Sequence, residues 1–90
     1  MDLCGPMRVQ SINGRKYTLV IVDDFSRYTW TKFLRKKDEA AEIIMTFVRT
    51  VQKLLQQSVR IIRTDNGTEF KNQTLTGFYE SLGITQQFAA

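Results

Sequence analysis

The sequence predicts a mixed α/β fold with one sheet and the element order β-β-β-α-β-α-β. Residues 16–23, KYTLVIVD, are almost continuously apolar, which is typical of a central strand covered on both faces. Between about residues 38 and 56, apolar side chains recur with the i, i+3, i+4, i+7 spacing of a helix. Residues 60–70, RIIRTDNGTEF, then place an aspartate where a strand meets a polar turn, a position that often holds ligands in α/β sheets.

The first three strands are predicted to follow one another directly along the chain. Residues 2–10 favour an extended strand, in which the Gly-Pro pair at 5–6 predicts a bulge or bend. The Asn-Gly pair at 13–14 predicts a hairpin turn, because both residue types tolerate positive φ. After the central strand, residues 28–35, YTWTKFLR, have the aromatic and threonine content typical of a third strand.

The second half of the chain predicts strand, helix and strand. Residues 59–64 form the fourth strand, and the long helical crossover before it favours parallel pairing with an earlier strand. A second helix begins at residue 72 or 73 and runs to 82, and Gly83 suits its C-terminal cap. Residues 84–90 indicate a fifth strand, with no helix after it. We therefore expect residues 1–90 to form one unit whose C-terminal end is unfinished.

Composition narrows the classes of chemistry that this chain can carry out. The absence of histidine excludes His-based zinc sites and Ser-His-Asp triads, so a metal site would use carboxylates and favour Mg²⁺ or Mn²⁺. The single cysteine, Cys4, excludes a disulfide within the chain and suits a reducing compartment, so we expect a nuclear or cytoplasmic location. We predict that Cys4 is a small buried apolar residue.

The charge of the chain leans toward a polyanionic partner. The formal net charge is +4 and the pI is about 9.5, which favours nucleic acid, although solubility alone would also account for such a charge. No apolar segment approaches the roughly 20 residues that cross a membrane, and the N-terminus has no signal-peptide pattern. Tyr28 and Trp30 are predicted to pack against the core or sheet edge rather than stack on bases.

Two aspartates are the first candidates for a metal site. Asp2 opens the predicted first strand and Asp65 ends the fourth, so parallel pairing of these strands could bring both carboxylates to one ion. The alternative for Asp65 is a turn residue that caps the Asn-Gly pair after it, and the alternative for Asp2 is a solvated terminal residue. Glu69 could line the same cleft, but a surface residue that pairs with Lys71 or a polar group that faces DNA is favoured.

Asp23 and Asp24 form a competing acidic pair at the end of the central strand. Because neighbours on an extended chain point to opposite faces, the two carboxylates are not expected to share one ion. Asp24 is well placed to accept hydrogen bonds from the backbone of residues 26–27. We interpret both aspartates as stabilisers of the turn.

Several segments together resemble a known family. The chain resembles the catalytic core of the integrase encoded by Ty1/copia-type retrotransposons, particularly those of plants, within the retroviral integrase superfamily. The matching segments follow the order of the family and cover nearly the whole chain: MDLCGPM at 1–7, KYTLVIVDDFSRYTW at 16–30, FLRKKDEA at 33–40, IRTDNGTEF at 62–70 and FYESLGI at 78–84.

The resemblance implies a fold, a reaction and a set of site residues. The family is similar in fold to ribonuclease H, with three antiparallel strands and a fourth strand parallel to the first. Its reaction uses two Asp and one Glu with divalent metal, Mg²⁺ or Mn²⁺, and the two Asp fall on Asp2 and Asp65. The resemblance implies cleavage of DNA ends by water, followed by transfer of a 3′-hydroxyl onto target DNA.

The chain departs from the family at its C-terminal end. The Glu of the family lies about 35 residues beyond the second Asp, on a helix that completes the two-metal site. Only residues 66–90 follow Asp65 here, so we expect the third carboxylate to be absent. A histidine expected near Gln86 and a serine expected near Ala89 are also absent, as is the zinc-binding region that precedes the core in this family.

Three expectations about function follow from these departures. The first is that residues 1–90 are a partial integrase catalytic core that has little or no activity alone. The second is a non-enzymatic DNA- or protein-binding remnant of a decayed or co-opted element. The third is a fragment with no function of its own that aggregates or forms a homo-oligomer such as a dimer, because missing helices would leave apolar sheet surface exposed.

Overall fold

The computed structural model describes residues 5–12 and 17–88. Asp2, Cys4 and the Asn-Gly pair at 13–14 lie outside these ranges. The element order is the predicted β-β-β-α-β-α-β, with one added 3₁₀ turn: β1 Met7–Ile12, β2 Tyr17–Asp23, β3 Thr29–Leu34, α1 Glu39–Leu55, β4 Ile61–Thr64, the 3₁₀ turn Thr68–Phe70, α2 Gln73–Leu82 and β5 Thr85–Phe88.

The five strands form one mixed sheet in the order β3-β2-β1-β4-β5. β1 pairs antiparallel with β2, and β2 pairs antiparallel with β3, as the hairpin signals predict. β4 pairs parallel with β1, so that Met7 lies beside Ile62 and Val9 beside Thr64. β5 then pairs parallel with β4 at the edge of the sheet. The predicted parallel placement of the fourth strand is therefore confirmed.

The beginning of β1 differs from the sequence prediction. The strand begins at Met7, and the Gly-Pro pair precedes it. The chain bends at Gly5, which is one of the two predicted alternatives, and no bulge forms within β1. Gly5 lies so close to the β2–β3 turn that a Cβ built on it would be 2.6 Å from the backbone nitrogen of Phe25. The carbonyl of Pro6 accepts a hydrogen bond from the Asp24 backbone (2.9 Å). Glycine is thus needed where the chain enters the sheet, because no side chain fits there.

The core lies on one face of the sheet, between the strands and both helices. Along β1, buried Met7 and Val9 alternate with exposed Arg8 and Gln10, as a sheet covered on one side requires. The fully or nearly fully buried side chains form a single cluster with contributions from both helices, among them Leu19, Ile21, Ala40, Ile44, Val48, Ile62, Phe70, Leu75 and Tyr79.

The opposite face of the sheet is not covered by the described residues. In β2, Thr18, Val20 and Val22 are half-buried, whereas the sequence predicts a central strand buried on both faces. Phe33 on β3 is 76% exposed and Ile12 on β1 is 55% exposed. The apolar run of β2 therefore reflects its position in the sheet, but only one of its faces meets the core.

The capping residues of α2 confirm its predicted bounds. The Asn72 side chain accepts hydrogen bonds from the backbone nitrogens of Thr74 (2.7 Å) and Leu75 (3.4 Å), so Asn72 is the N-cap and Gln73 is the first helical residue. Gly83 ends the helix with φ of +70°, a conformation that favours glycine.

The hydroxyl of Tyr79 is a polar group that the core does not satisfy. Tyr79 on α2 is 2% exposed, and its hydroxyl has no hydrogen-bond partner among the described residues. Burial raises the pKa of this phenol above its usual range, because the charged form would lose its solvation. Tyr79 therefore contributes to the fold through its ring and remains neutral.

The turn between β2 and β3 is organised by Asp23, whose side chain is fully buried. Its carboxylate accepts hydrogen bonds from the Gly5 nitrogen (3.3 Å), the Ser26 nitrogen (3.0 Å) and the Ser26 hydroxyl (2.6 Å). The prediction that both aspartates stabilise this turn is confirmed for Asp23, whereas the predicted role of the Asp24 side chain as an acceptor for residues 26–27 is wrong. Asp24 points to the opposite face, as strand alternation requires, and pairs there with arginines.

Replacing Asp23 with alanine is expected to lower the free energy of unfolding by about 2–4 kcal/mol, because the donors on Gly5 and Ser26 lose their acceptor in a buried site. Asp24→Ala is the matched control, with an expected loss below about 1 kcal/mol, since its ion pairs are partly exposed. Urea denaturation followed by circular dichroism measures both values. Equal losses for the two variants would contradict the assignment.

Candidate functional site at the carboxyl end of β4

Asp65 lies directly after β4, at the carboxyl end of a strand inside the sheet. Its side chain is half-buried, while Thr64 before it is 1% exposed. Among the described residues the Asp65 carboxylate has neither a hydrogen bond nor an ion pair. The predicted strand-end position is confirmed, and the alternative of a turn-capping aspartate finds no supporting contact.

Glu69 approaches the same segment from the 3₁₀ turn that follows. It is half-buried, and a Cβ built on Gly67 would lie 2.5 Å from its Oε1 atom, so the carboxylate folds back over Gly67. The predicted pair of Glu69 with Lys71 is not formed. The Lys71 ammonium instead lies 5.6 Å from the centre of the Phe88 ring, within the range of a cation–π contact.

The loop that carries Asp65 is held to the sheet by Gln86 on β5. The side-chain nitrogen of Gln86 donates to the Thr64 hydroxyl (3.3 Å) and to the Phe70 carbonyl (2.9 Å). These two bonds join the last residue of β4 to the end of the 3₁₀ turn, on either side of Asp65. Sequence reasoning missed this residue, although strand alternation in a fifth strand beginning near Thr85 would have placed Gln86 on the covered face.

Asp2, the second predicted ligand, lies outside the described residues, so its pairing with Asp65 stays a prediction. The first described residues indicate what such pairing would require. Gly5 and Pro6 line a cavity of about 440 Å³ together with residues 57–61, at the start of β4. Asp65 follows the other end of that strand, about 13 Å away at 3.3 Å per residue.

The donor set for a divalent ion is incomplete in the described part of the chain. Asp65 offers the right chemistry, because an unpaired carboxylate is a ligand that Mg²⁺ and Mn²⁺ accept. However, residues 5–12 and 17–88 contain no group of three acidic, cysteine or histidine side chains that could hold an ion. Asp65 fits such an ion as one ligand only, and we derive no catalytic step through it.

Two arginines share one carboxylate on the uncovered face of the sheet. Asp24 accepts from Arg8 (2.6 Å) and from Arg63 (3.3 Å), and Arg63 also donates to Gln87 (3.0 Å). The arginine side chains are 44% and 46% exposed, so each ion pair contributes at most about 1 kcal/mol. The cluster carries one surplus positive charge and leaves arginine N–H groups open to an anionic partner.

Removing the Gln86 amide is expected to loosen the loop that carries Asp65. Gln86→Ala leaves the Thr64 hydroxyl and the Phe70 carbonyl without this donor, so we expect a loss of about 1–2 kcal/mol and faster amide exchange in residues 64–70. Gln87→Ala, at the neighbouring exposed position, is the control and should leave exchange in that loop unchanged. Hydrogen–deuterium exchange measures the difference, and unchanged exchange in Gln86→Ala would contradict this role.

Comparison with known proteins agrees with the geometry. A family model described as "Integrase core domain" matches residues 1–90. The retrovirus-related Pol polyprotein from transposon TNT 1-94 of Nicotiana tabacum is 31% identical over 86 residues, covering 96% of this chain and 6% of the polyprotein. The transposon Ty1-DR4 Gag-Pol polyprotein of Saccharomyces cerevisiae is 29% identical over 86 residues, covering 93% of the chain and 5% of the relative.

The matches and the fold indicate the same lineage. The chain spans only about one-twentieth of the length of these relatives. Neither of the two described helices is long and apolar enough to cross a lipid bilayer. The mixed sheet, with three antiparallel strands and β4 parallel to β1, is the ribonuclease H-like arrangement that the sequence resemblance implies. The chain therefore belongs to the integrase core family, and its relatives are retrotransposon Pol polyproteins of the Ty1/copia type.

Proposed function

We propose that this chain is part of an integrase catalytic core that acts in DNA integration, with retroelement ends and target DNA as its substrates. The observation that carries the proposal is the carboxylate of Asp65 at the end of β4, which has no partner among the described residues, in a chain whose residues 1–90 match the family model. We further propose that Asp65 and Asp2 are ligands of Mg²⁺ or Mn²⁺. These two residues would hold the divalent metal, which when bound would supply charge stabilisation for phosphoryl transfer.

We propose that the 90 residues alone have little or no strand-transfer activity. The resemblance requires a third carboxylate well beyond Asp65, and the only glutamates after Asp65 are Glu69 and Glu80, both much nearer to it than the family spacing. The hydrogen bond from Gln86 to Thr64, which holds the residue before Asp65, supports a part for this segment in the proposed site. We also propose that the protein is located in the nucleus or the cytoplasm and that it forms homo-oligomers.

A second candidate is a non-enzymatic module that binds DNA through its surface. The observation that favours it is the uncovered face of the sheet, where Arg8 and Arg63 present a surplus positive charge. Phosphate contacts from such groups need no metal and no complete active site. The integrase candidate requires the Asp65 carboxylate for metal binding, whereas the DNA-binding module does not require it.

Metal binding tests the proposed ligands one at a time. Titration of Mn²⁺, followed by the electron paramagnetic resonance of the free ion, is expected to show weak binding that Asp65→Asn reduces about tenfold or more, because one of few charged ligands is lost. Asp2→Asn should reduce the affinity equally if the two residues share an ion. An effect of Asp65→Asn alone would overturn the role of Asp2. Glu80→Gln, at an exposed position on α2, is the control and should change nothing.

DNA binding separates the two candidates. Fluorescence anisotropy with a short DNA duplex should show an affinity that falls as the salt concentration rises. The double variant Arg8→Gln, Arg63→Gln should make the slope of the logarithm of the binding constant against the logarithm of the salt concentration shallower by about two, because each arginine that contacts a phosphate releases counterions. Asp65→Asn should not weaken binding to the backbone, but it should abolish any Mn²⁺-dependent strand transfer. Strand transfer that survives Asp65→Asn would contradict the integrase assignment, and no binding at low salt would exclude the DNA-binding module.

A further inference from the structure

The loop between β4 and the 3₁₀ turn carries a chemically reactive pair of residues directly after Asp65. Asn66 is exposed and lies in a bend, outside the described helices and strands. Gly67 follows it, and residues 5–12 and 17–88 contain no other Asn-Gly pair. Such a pair can react with itself, because glycine has no side chain to shield its backbone nitrogen from the neighbouring asparagine.

The backbone nitrogen of Gly67 is accessible to this reaction. Within the described residues the Gly67 N–H donates no hydrogen bond, whereas its carbonyl accepts one from the Phe70 nitrogen (3.0 Å). The 3₁₀ turn therefore holds the carbonyl side of Gly67 and leaves its nitrogen outside the hydrogen-bond ladder. The nucleophile and the exposed Asn66 side chain belong to adjacent residues in a segment that no strand or helix constrains.

We propose that Asn66 is a self-modification site, where loss of the side-chain amide places a second carboxylate directly beside Asp65. The Gly67 nitrogen attacks Cγ of Asn66 and forms a new C–N bond. The side-chain nitrogen leaves as ammonia and carries away the proton that the Gly67 nitrogen loses. Water then opens the cyclic imide: attack at Cγ gives aspartate, and attack at the backbone carbonyl gives isoaspartate. Water is the only co-reactant.

Asn72 shows what protects an asparagine in this fold. Its side-chain oxygen accepts hydrogen bonds from the backbone nitrogens of Thr74 (2.7 Å) and Leu75 (3.4 Å), so its amide is held at the start of α2. The residue after it is Gln73, whose side chain crowds the backbone nitrogen that would have to attack. Asn72 is also less exposed than Asn66. The same chain thus contains a reactive asparagine and a protected one.

The products would change the loop in two ways. Either product adds one negative charge next to Asp65, at the carboxyl end of β4. Isoaspartate also adds a methylene to the main chain between Thr64 and Phe70, the two residues that Gln86 joins by hydrogen bonds. The loop must then lengthen between two held points, so we expect faster amide exchange in residues 64–70 of the isoaspartate form.

Peptide mapping by mass spectrometry, after incubation of the chain in mildly alkaline buffer, tests the proposal. Asn66 should exchange its amide for a carboxylate at least about tenfold faster than Asn72, because Asn72 reacts only when the start of α2 opens. Asn66→Gln is the matched control and should keep its amide, since its longer side chain must close a larger ring. Loss of the Asn66 amide no faster than that of Asn72 would overturn the proposal.

Gly67→Ala tests the route through the cyclic imide. The added methyl group should slow the reaction of Asn66 at least about tenfold, because it hinders the attacking nitrogen. The atoms nearest to that methyl group belong to the Glu69 carboxyl, at the flexible end of its side chain, so the fold should tolerate the change. Circular dichroism establishes that the variant is folded. An unchanged rate, or a product without isoaspartate, would overturn the imide route.

The effect of the new carboxylate on a metal ion rests on the function proposed above. Asn66→Asp imitates one product, and it should tighten Mn²⁺ binding about threefold, because the added charge lies near the ion that Asp65 would hold. Unchanged affinity would overturn this effect of the modification. A chain that binds no Mn²⁺ but still converts Asn66 would contradict the proposed metal site and leave the modification site established, so the two failures are distinguishable.

Discussion

The parallel pairing of β1 with β4 is the constraint on which the rest of the structure depends. It places a strand from the second half of the chain beside one from the first half, with α1 as the crossover between them. It also sets the position of Asp65, which leaves the sheet at the carboxyl end of β4. Ligand sites form at such ends because two strands and their loops meet there. Without this pairing, Asp65 would be an ordinary turn residue.

One-sided coverage of the sheet is the second organising feature. Both helices bury the same face, so the described part of the chain has a single apolar cluster and a second face of threonine, valine and arginine side chains. Sequence periodicity could not reveal this, because a continuous apolar run such as that of β2 fits coverage on either one or both faces. Val20 and Val22 lie on this second face and are only half-buried by the described residues.

The sequence predicted best those features that local chemistry determines. Asn72 and Gly83 fix the ends of α2 through a side-chain cap and a positive φ, and both signals are visible in the residues themselves. It failed where the outcome depends on distant contacts. Asp23 and Asp24 are neighbours of the same type, and which carboxylate is buried depends on the face of β2 that meets the core and on the packing of Gly5 against the turn. Gln86 was missed for the same reason, since its partners lie in other elements.

In the candidate site, too, the sequence predicts what is local and does not settle what depends on distant residues. Asp65 could be located from sequence because a strand followed by a polar turn is a local pattern. The pairing of Asp65 with Asp2 stays a prediction, because Asp2 lies outside the described residues. The metal affinities of the two asparagine variants are therefore the measurement that decides whether both carboxylates belong to one site.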